Sequence, residues 1–278
     1  MCELEKLRQE LAEVDRELME QFFRRMRIAE RVAAYKEKTK GRVYVPRQEA
    51  GVLARTLHQA PKELACSAKA LARTLMRLSR ERQYELLLPD SSWRLGSLLE
   101  NAQTEAGPME TLAVSADLRD DFLQSLQSLY PDVSLIETDK PGDACRRLGE
   151  GLLDGAVLPL SEELIFLLER HALFVQACLP SCSGRYLIVG SGLVWPEAVQ
   201  GWTLLLRIKG EVSGDLLALA VHILSDLELS IVRMNSLSDG SLFLEIAAPS
   251  KSRMRRVLYQ IQQEAGEVHL VGSCPSCL

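Results

Sequence analysis

The chain has 278 residues, 47% hydrophobic and 26% charged, a globular balance that excludes a disordered or fibrous protein and leaves room for two or three domains of ~100–150 residues. Lys+Arg 33 against Asp+Glu 38 gives a net charge of −5, which argues against a dedicated nucleic-acid binder, since that needs a basic face. No apolar run approaches the ~20 residues of a membrane span. The N-terminal MCELEKLRQ is charged from its third residue and carries no signal core, so a cytoplasmic protein without a membrane partner is expected.

Residues 1–89 read as all-α. From Leu4 to Lys36 there is neither Gly nor Pro, and Leu4, Leu7, Leu11, Val14, Leu18, Phe22, Ala29 and Val32 step by three and four, the period of one long amphipathic helix. Lys40-Gly41 is a helix stop. A loop from Arg42 to Pro46 leads to a second helix, and Pro61 separates that from a third, which runs to Leu88 before Pro89. Residues 90–108 read as a linker.

Residues 109–190 read as a small α/β segment. Its predicted elements are strand Thr111–Ser115, helix Asp117–Leu129, strand Val133–Glu137, helix Asp143–Glu150 and strand Gly155–Pro159. Over residues 198–273 the order is strand Trp202–Ile208, helix Gly214–Asp226, strand Leu229–Ser236, a turn at Ser238-Asp239-Gly240, strand Ser241–Ile246, helix Lys251–Ala265 and strand Val268–Val271. That βαββαβ order is ferredoxin-like.

The seven cysteines are spread along the chain. Cys178-x3-Cys182 with Cys274-x2-Cys277 could form a four-thiolate zinc site, but the first spacing is unusual and no histidine supports it. The cysteines read as reduced thiols, with no metal.

On a helical wheel with Leu11 at zero, the apolar residues of the first helix fall within about 60° either side. Lys6, Arg16, Arg24, Arg27 and Arg31 point away from them. Arg25 and Lys36 fall at about −40° and −20°, and Arg8 borders the stripe near +60°. A cation there needs an anionic partner, because burying an unpaired charge is expensive. Internal carboxylates are one source, with Asp15 on the same side, and an anionic ligand is the other. Arg25 and Lys36 lie roughly 16 Å apart along the axis and can converge through long side chains. Arg8 is too far along to join them unless a second subunit supplies it. On the third helix, Ser79 and Gln83 share a face at i and i+4.

The run LRQELAEVDRELMEQFFRRMRIAERVAAYKEKTKGRVYVP-RQE, with LMRLSRERQ further on, resembles the all-helical chorismate mutase class found at the front of chorismate mutase–prephenate dehydratase proteins. The resemblance covers residues 4–88. It implies that Arg8, Arg25, Lys36, Glu49 and Gln83 are catalytic and that Ser79 binds substrate. Where the family shows Asp-Pro-x-Arg-Glu, this chain has Val45-Pro46-Arg47-Gln48-Glu49, so Arg47 and Gln48 are candidate substrate-binding positions and Arg47 is a candidate stand-in for the family's arginine. The implied reaction is the pericyclic rearrangement of chorismate to prephenate, which needs no cofactor. Arg25 and the partner's Arg8 would clamp the two carboxylates, Lys36 and Gln83 would donate to the ether oxygen, and Glu49 would accept from the C4 hydroxyl. An intertwined homodimer is implied, with Arg8 contributed across the interface.

The same family continues with a two-lobed prephenate dehydratase unit and an ACT domain. DACRRLGEGLLDGAVLPLSE (143–162) is similar to the dehydratase helix and strand, with Pro159 matched but Ser161-Glu162 in place of Asn-Ser. Gly184-Arg185-Tyr186 stands at the Thr-Arg-Phe motif without its threonine hydroxyl. The chain between these points is too short for a second lobe, so residues 109–190 read as a degenerate, inactive dehydratase-like segment. Residues 198–273 resemble an ACT domain, which implies a phenylalanine effector near Gly214, Asn235 and Ser236, with a dimerisation module as the equal alternative. The expectation is a chorismate mutase of phenylalanine and tyrosine biosynthesis. A bifunctional mutase–dehydratase and a non-catalytic ligand-sensing partner remain as alternatives.

Overall fold

A computed structural model describes residues 2–89, 93–116, 123, 126–128, 130–181, 184–210 and 216–275. The chain forms two units, residues 1–89 and 90–278. Among the described residues no helix is long and apolar enough to cross a membrane.

The first unit is helical. Helix α1 (Glu3–Thr39) ends where Lys40 turns left-handed, at φ 51°, and the Gly41 N–H bonds back to the Lys36 carbonyl at 2.9 Å, a C-cap that closes its last carbonyls. Helix α2 (Pro46–Gln59) starts with proline in its first turn, where the missing N–H costs nothing. After Pro61 a 3₁₀ turn (Lys62–Leu64) leads into α3 (Ala65–Leu87). Helix α3 packs against both α1 and α2 and buries Ala72, Met76, Ser79, Arg80, Gln83 and Tyr84. Cover on α1 is uneven. Ala29 and Ala33 are buried, whereas Leu11, Val14 and Leu18 are 63%, 60% and 54% exposed.

The second unit is built on one nine-stranded mixed sheet in the order β2-β1-β3-β5-β4-β9-β6-β8-β7. Its first part comprises β1 (Thr111–Ser115), β2 (Ser134–Thr138) and β3 (Gly155–Pro159), paired in parallel. The hairpin β4 (Phe174–Ser181) and β5 (Gly184–Gly190) then pairs antiparallel, with β5 against β3. The predicted helix at 117–129 falls largely outside the described residues. The segment read as a linker contains helix α4 (Arg94–Glu100), which packs on a later helix through Leu95 and Leu99. Helix α5 (Pro141–Gly149) lies one to two residues from its predicted span. Helix α6 (Glu162–His171) has no counterpart in the sequence reading. Its N-cap is Ser161, whose Oγ accepts from the Leu164 N–H at 3.1 Å.

The remaining strands are β6 (Trp202–Gly210), β7 (Ile231–Ser236), β8 (Leu242–Ala247) and β9 (Gly266–Pro275), with helices α7 (Leu216–Asp226) and α8 (Lys251–Glu264). The order β9-β6-β8-β7 is antiparallel throughout and is the ferredoxin-like arrangement predicted for this stretch. Side chains alternate across it. Leu204, Leu206 and Ile208 face α4, α7 and α8, while Leu205, Phe243 and Val271 join Ala156, Leu158, Leu187 and Val189 under α5 and α6.

Two features tie the halves of the sheet together. Strand β9 meets β4 at Gly272 opposite Val175, where φ is +147° and a Cβ would lie 2.3 Å from the Val175 carbonyl oxygen, so only glycine fits. Across the sheet, Arg185 on β5 donates to both carboxylate oxygens of Glu245 on β8 at 2.6 Å, and Glu245 is 1% exposed. The Arg185 guanidinium also donates to the Cys178 sulfur at 3.2 Å. Replacing one partner of such a pair leaves the other charge buried and uncompensated. Glu245→Gln is expected to destabilise this unit by about 3–5 kcal/mol, read as a lower denaturation midpoint in urea with its slope unchanged.

Candidate active site

The first unit places polar side chains from all three helices in its otherwise apolar interior. The 11-residue step from Arg25 to Lys36 keeps both near one face of α1, and both are half-buried. The Arg25 Nη1 donates to the Leu75 carbonyl at 2.5 Å and to the Ser79 hydroxyl on α3. Ser79 in turn donates to the Leu75 carbonyl at 2.9 Å. The Lys36 Nζ donates to the Val43 carbonyl at 2.9 Å and so fastens the α1–α2 loop to the end of α1.

Glu49, in the first turn of α2, accepts from the Nη1 of Arg80 on α3 through both oxygens at 2.5 Å. The Arg80 guanidinium also lies over the Tyr44 ring, 5.1 Å from its centroid. Gln83 donates through Nε2 to the Ser79 carbonyl at 3.0 Å. That bond identifies the amide nitrogen, so the oxygen is the other atom, and it is buried without a hydrogen-bond partner among the described residues.

Burial pushes the Arg25 guanidinium below its ordinary value, and the negative charge of Glu49 opposes the shift. The Lys36 ammonium is lowered in the same way, again with Glu49 acting in opposition. Both shifts express the cost of withdrawing a cation from water. Arg25, Lys36 and Arg80 with Glu49 are three cations and one carboxylate, two net positive charges in this helical unit. The arrangement can bind a small dianion and hold hydrogen-bond donors against it in a water-poor setting.

The structure therefore brings Arg25, Lys36, Glu49, Ser79 and Gln83 into one helical unit and joins Arg25 to Ser79 directly. Arg47 and Gln48 are exposed at the start of α2. Arg8 is exposed as well, and its 17-residue offset puts it about 25 Å from Arg25 along the helix. Asn235 and Ser236 are exposed on β7, at one edge of the sheet and opposite Phe243 and Leu242. Gly214 lies outside the described residues, as do Cys182 and Cys277. Among the described residues no group of three or more His, Cys, Asp or Glu is placed to hold a metal ion.

Sequence reasoning missed Arg80 and Tyr44. Arg80 is about 100° round the helix from Ser79, and an isolated wheel gives it to a different face. It is only 4% exposed because α3 packs against α1 and α2 together, which widens the buried arc. The available signal was an arginine immediately beside a Ser-x3-Gln pair.

Residues 7–84 match the family model of chorismate mutase type II. No curated protein matches the chain. Solved structures similar to it include a quorum-quenching acylase, GqqA, at 15% identity and a TM-score of 0.49, over 60% of this chain and 95% of that one. A prephenate dehydratase from Streptococcus mutans has 12% identity and a TM-score of 0.49, over 60% and 98%. One from Arthrobacter aurescens in complex with L-Phe has 10% identity and a TM-score of 0.48, over 59% and 90%. Likeness at that level carries no inference about activity.

Proposed function

Since the chain carries a chorismate mutase type II domain over residues 7–84, we propose that it converts chorismate to prephenate in phenylalanine and tyrosine biosynthesis. The observation that carries this is the pair of half-buried cations, Arg25 and Lys36, set across from Glu49, Ser79 and Gln83 in one unit. The reaction is a unimolecular rearrangement. Its catalyst selects the compact diaxial conformer and stabilises charge as the ether bond breaks. Arg25, supported by Ser79, holds one carboxylate. Lys36 and Gln83 donate to the ether oxygen, for which Gln83 rotates its amide off the Ser79 carbonyl. Glu49 accepts from the C4 hydroxyl, and Arg47 and Gln48 border that end of the pocket.

The site is completed by a second copy. Helix α1 has 37 residues, about 55 Å of helix, whereas the 23 residues of α3 span only about 35 Å. The front of α1 therefore outruns its cover and leaves Leu4, Leu7, Leu11, Val14 and Leu18 about half exposed or more. A homodimer that pairs these segments buries that stripe and carries the partner's Arg8 to the Arg25 site.

Residues 109–190 are a dehydratase-like scaffold without dehydratase activity, and 198–273 an ACT-like domain for regulation or dimerisation, with residues 90–108 linking the mutase domain to them. In support, Arg185 of the Gly-Arg-Tyr motif is occupied by Glu245, and Gly184 stands where the motif's threonine would be. The ferredoxin-like order of the last four strands suits the ACT-like reading, with Gly214, Asn235 and Ser236 as effector positions. The test is chromatography of the full-length protein with chorismate, with and without phenylalanine. Prephenate is the expected product, and added prephenate at neutral pH yields no phenylpyruvate above the spontaneous rate. Unchanged chorismate would sink the mutase reading. Phenylpyruvate formation would establish the bifunctional one.

A further inference from the structure

We propose that Arg80 is a positioning residue that holds the Glu49 carboxylate off Arg25 and Lys36, leaving their charges available to a dicarboxylate ligand. This rests on the mutase reading. A carboxylate beside two half-buried cations is their natural counterion, and attraction between opposite charges grows as water is excluded. Glu49 is close enough to act electrostatically on both Arg25 and Lys36, and closure of that ion pair inside the subunit would fill the place of the substrate. Among the described residues it forms neither pairing. Both of its oxygens accept from the Arg80 Nη1 at 2.5 Å.

Arg80 is suited to this restraint. It is 4% exposed and rooted in α3, and the Tyr44 ring supports its guanidinium. It therefore has little freedom to follow Glu49 if the carboxylate turns. The neighbouring Gln48 carries no charge and is exposed, so the restraint has to come from α3. With its geometry fixed, Glu49 presents an acceptor to a ligand hydroxyl while Arg25 and Lys36 stay uncompensated by the protein. That combination fits a hydroxylated dicarboxylate better than a simple dianion.

Steady-state kinetics of the full chain with chorismate separate this role from a merely structural one. Arg80→Gln is expected to raise KM by about tenfold or more, as Glu49 turns onto the two cations. Adding Glu49→Gln to that variant is expected to bring KM back to within about threefold of wild type while kcat stays low, because the competing carboxylate and the hydroxyl acceptor leave together. Arg80→Lys is expected to keep KM within about fivefold. A KM in the double variant as high as in Arg80→Gln, or an unchanged KM in Arg80→Gln, overturns the proposal. A wild type that turns over no chorismate defeats the mutase reading instead. Calorimetric binding of a bicyclic dicarboxylate that mimics the diaxial conformer then decides the role of Arg80, with the same loss and recovery expected in Kd and an unchanged Kd in Arg80→Gln counting against it.

Discussion

Arg25→Ala is expected to lower kcat/KM for chorismate by about 10³-fold, a loss of roughly 4 kcal/mol of transition-state stabilisation. Arg25 is half-buried, and its bond to Ser79 across the α1–α3 contact sets the direction of its guanidinium. Pre-orientation of this kind makes a donor count for more at the transition state than in water. Water entering the vacated space would screen the remaining cations without replacing the fixed donors. Arg25→Lys is expected to recover only part of the loss, since an ammonium cannot reproduce the planar fork. The measurement is initial-rate chorismate consumption, with thermal unfolding of each variant alongside. A folded Arg25→Ala protein within a factor of about two of wild type would remove Arg25 from the mechanism.

Mixing two inactive variants is expected to restore activity. If each site combines Arg25 from one subunit with Arg8 from the other, Arg8→Ala and Arg25→Ala subunits form a heterodimer with one intact site and one doubly damaged site. Random reassortment makes half the dimers hybrid, so the mixture recovers about a quarter of the wild-type rate. The physical ground is the front of α1, where Leu11 and Val14 are 63% and 60% exposed on the helix's apolar stripe. Co-expression of differently tagged variants and purification through both tags would check it, the isolated hybrid being expected to turn over at about half the wild-type rate. A hybrid no more active than its parents would mean that Arg8 works within its own subunit or not at all. Leu11→Glu and Leu18→Glu together are expected to shift the protein to monomers in sedimentation and to abolish turnover.

Much of the helical unit was legible because its signals are local. Three-and-four spacing, Lys40-Gly41 and the prolines Pro46, Pro61 and Pro89 bound the three helices, and the wheel picked out Arg25 and Lys36 as cations out of place. The same held for the βαββαβ segment, where each element changes period at a turn. What escaped was whatever depends on distant pairing. The run Glu162–Phe174 holds α6 and the start of β4, divided at Ala172, which adopts φ 53°. Short apolar stretches such as β4 and β5 carry no period that separates strand from helix. They pair with each other as a hairpin, but their outer partners, β3 and β9, lie further away along the chain.

The amino-acid sequence by itself determined an all-helical first unit, a ferredoxin-like strand order near the end, and a set of cations set against their own apolar stripe. Only the tertiary structure decided which carboxylate meets which cation. Glu49 and Arg80 are 31 residues apart on different helices, and no periodicity links them. The same holds for the single sheet that unites residues 109–190 with 198–273, which depends on Gly272 coming up against Val175. Local patterns report the face a residue occupies, because each turn or pleat repeats the same geometry. Which partner fills that face is settled when the elements pack, and there the cost of an unpaired buried charge selects the arrangement.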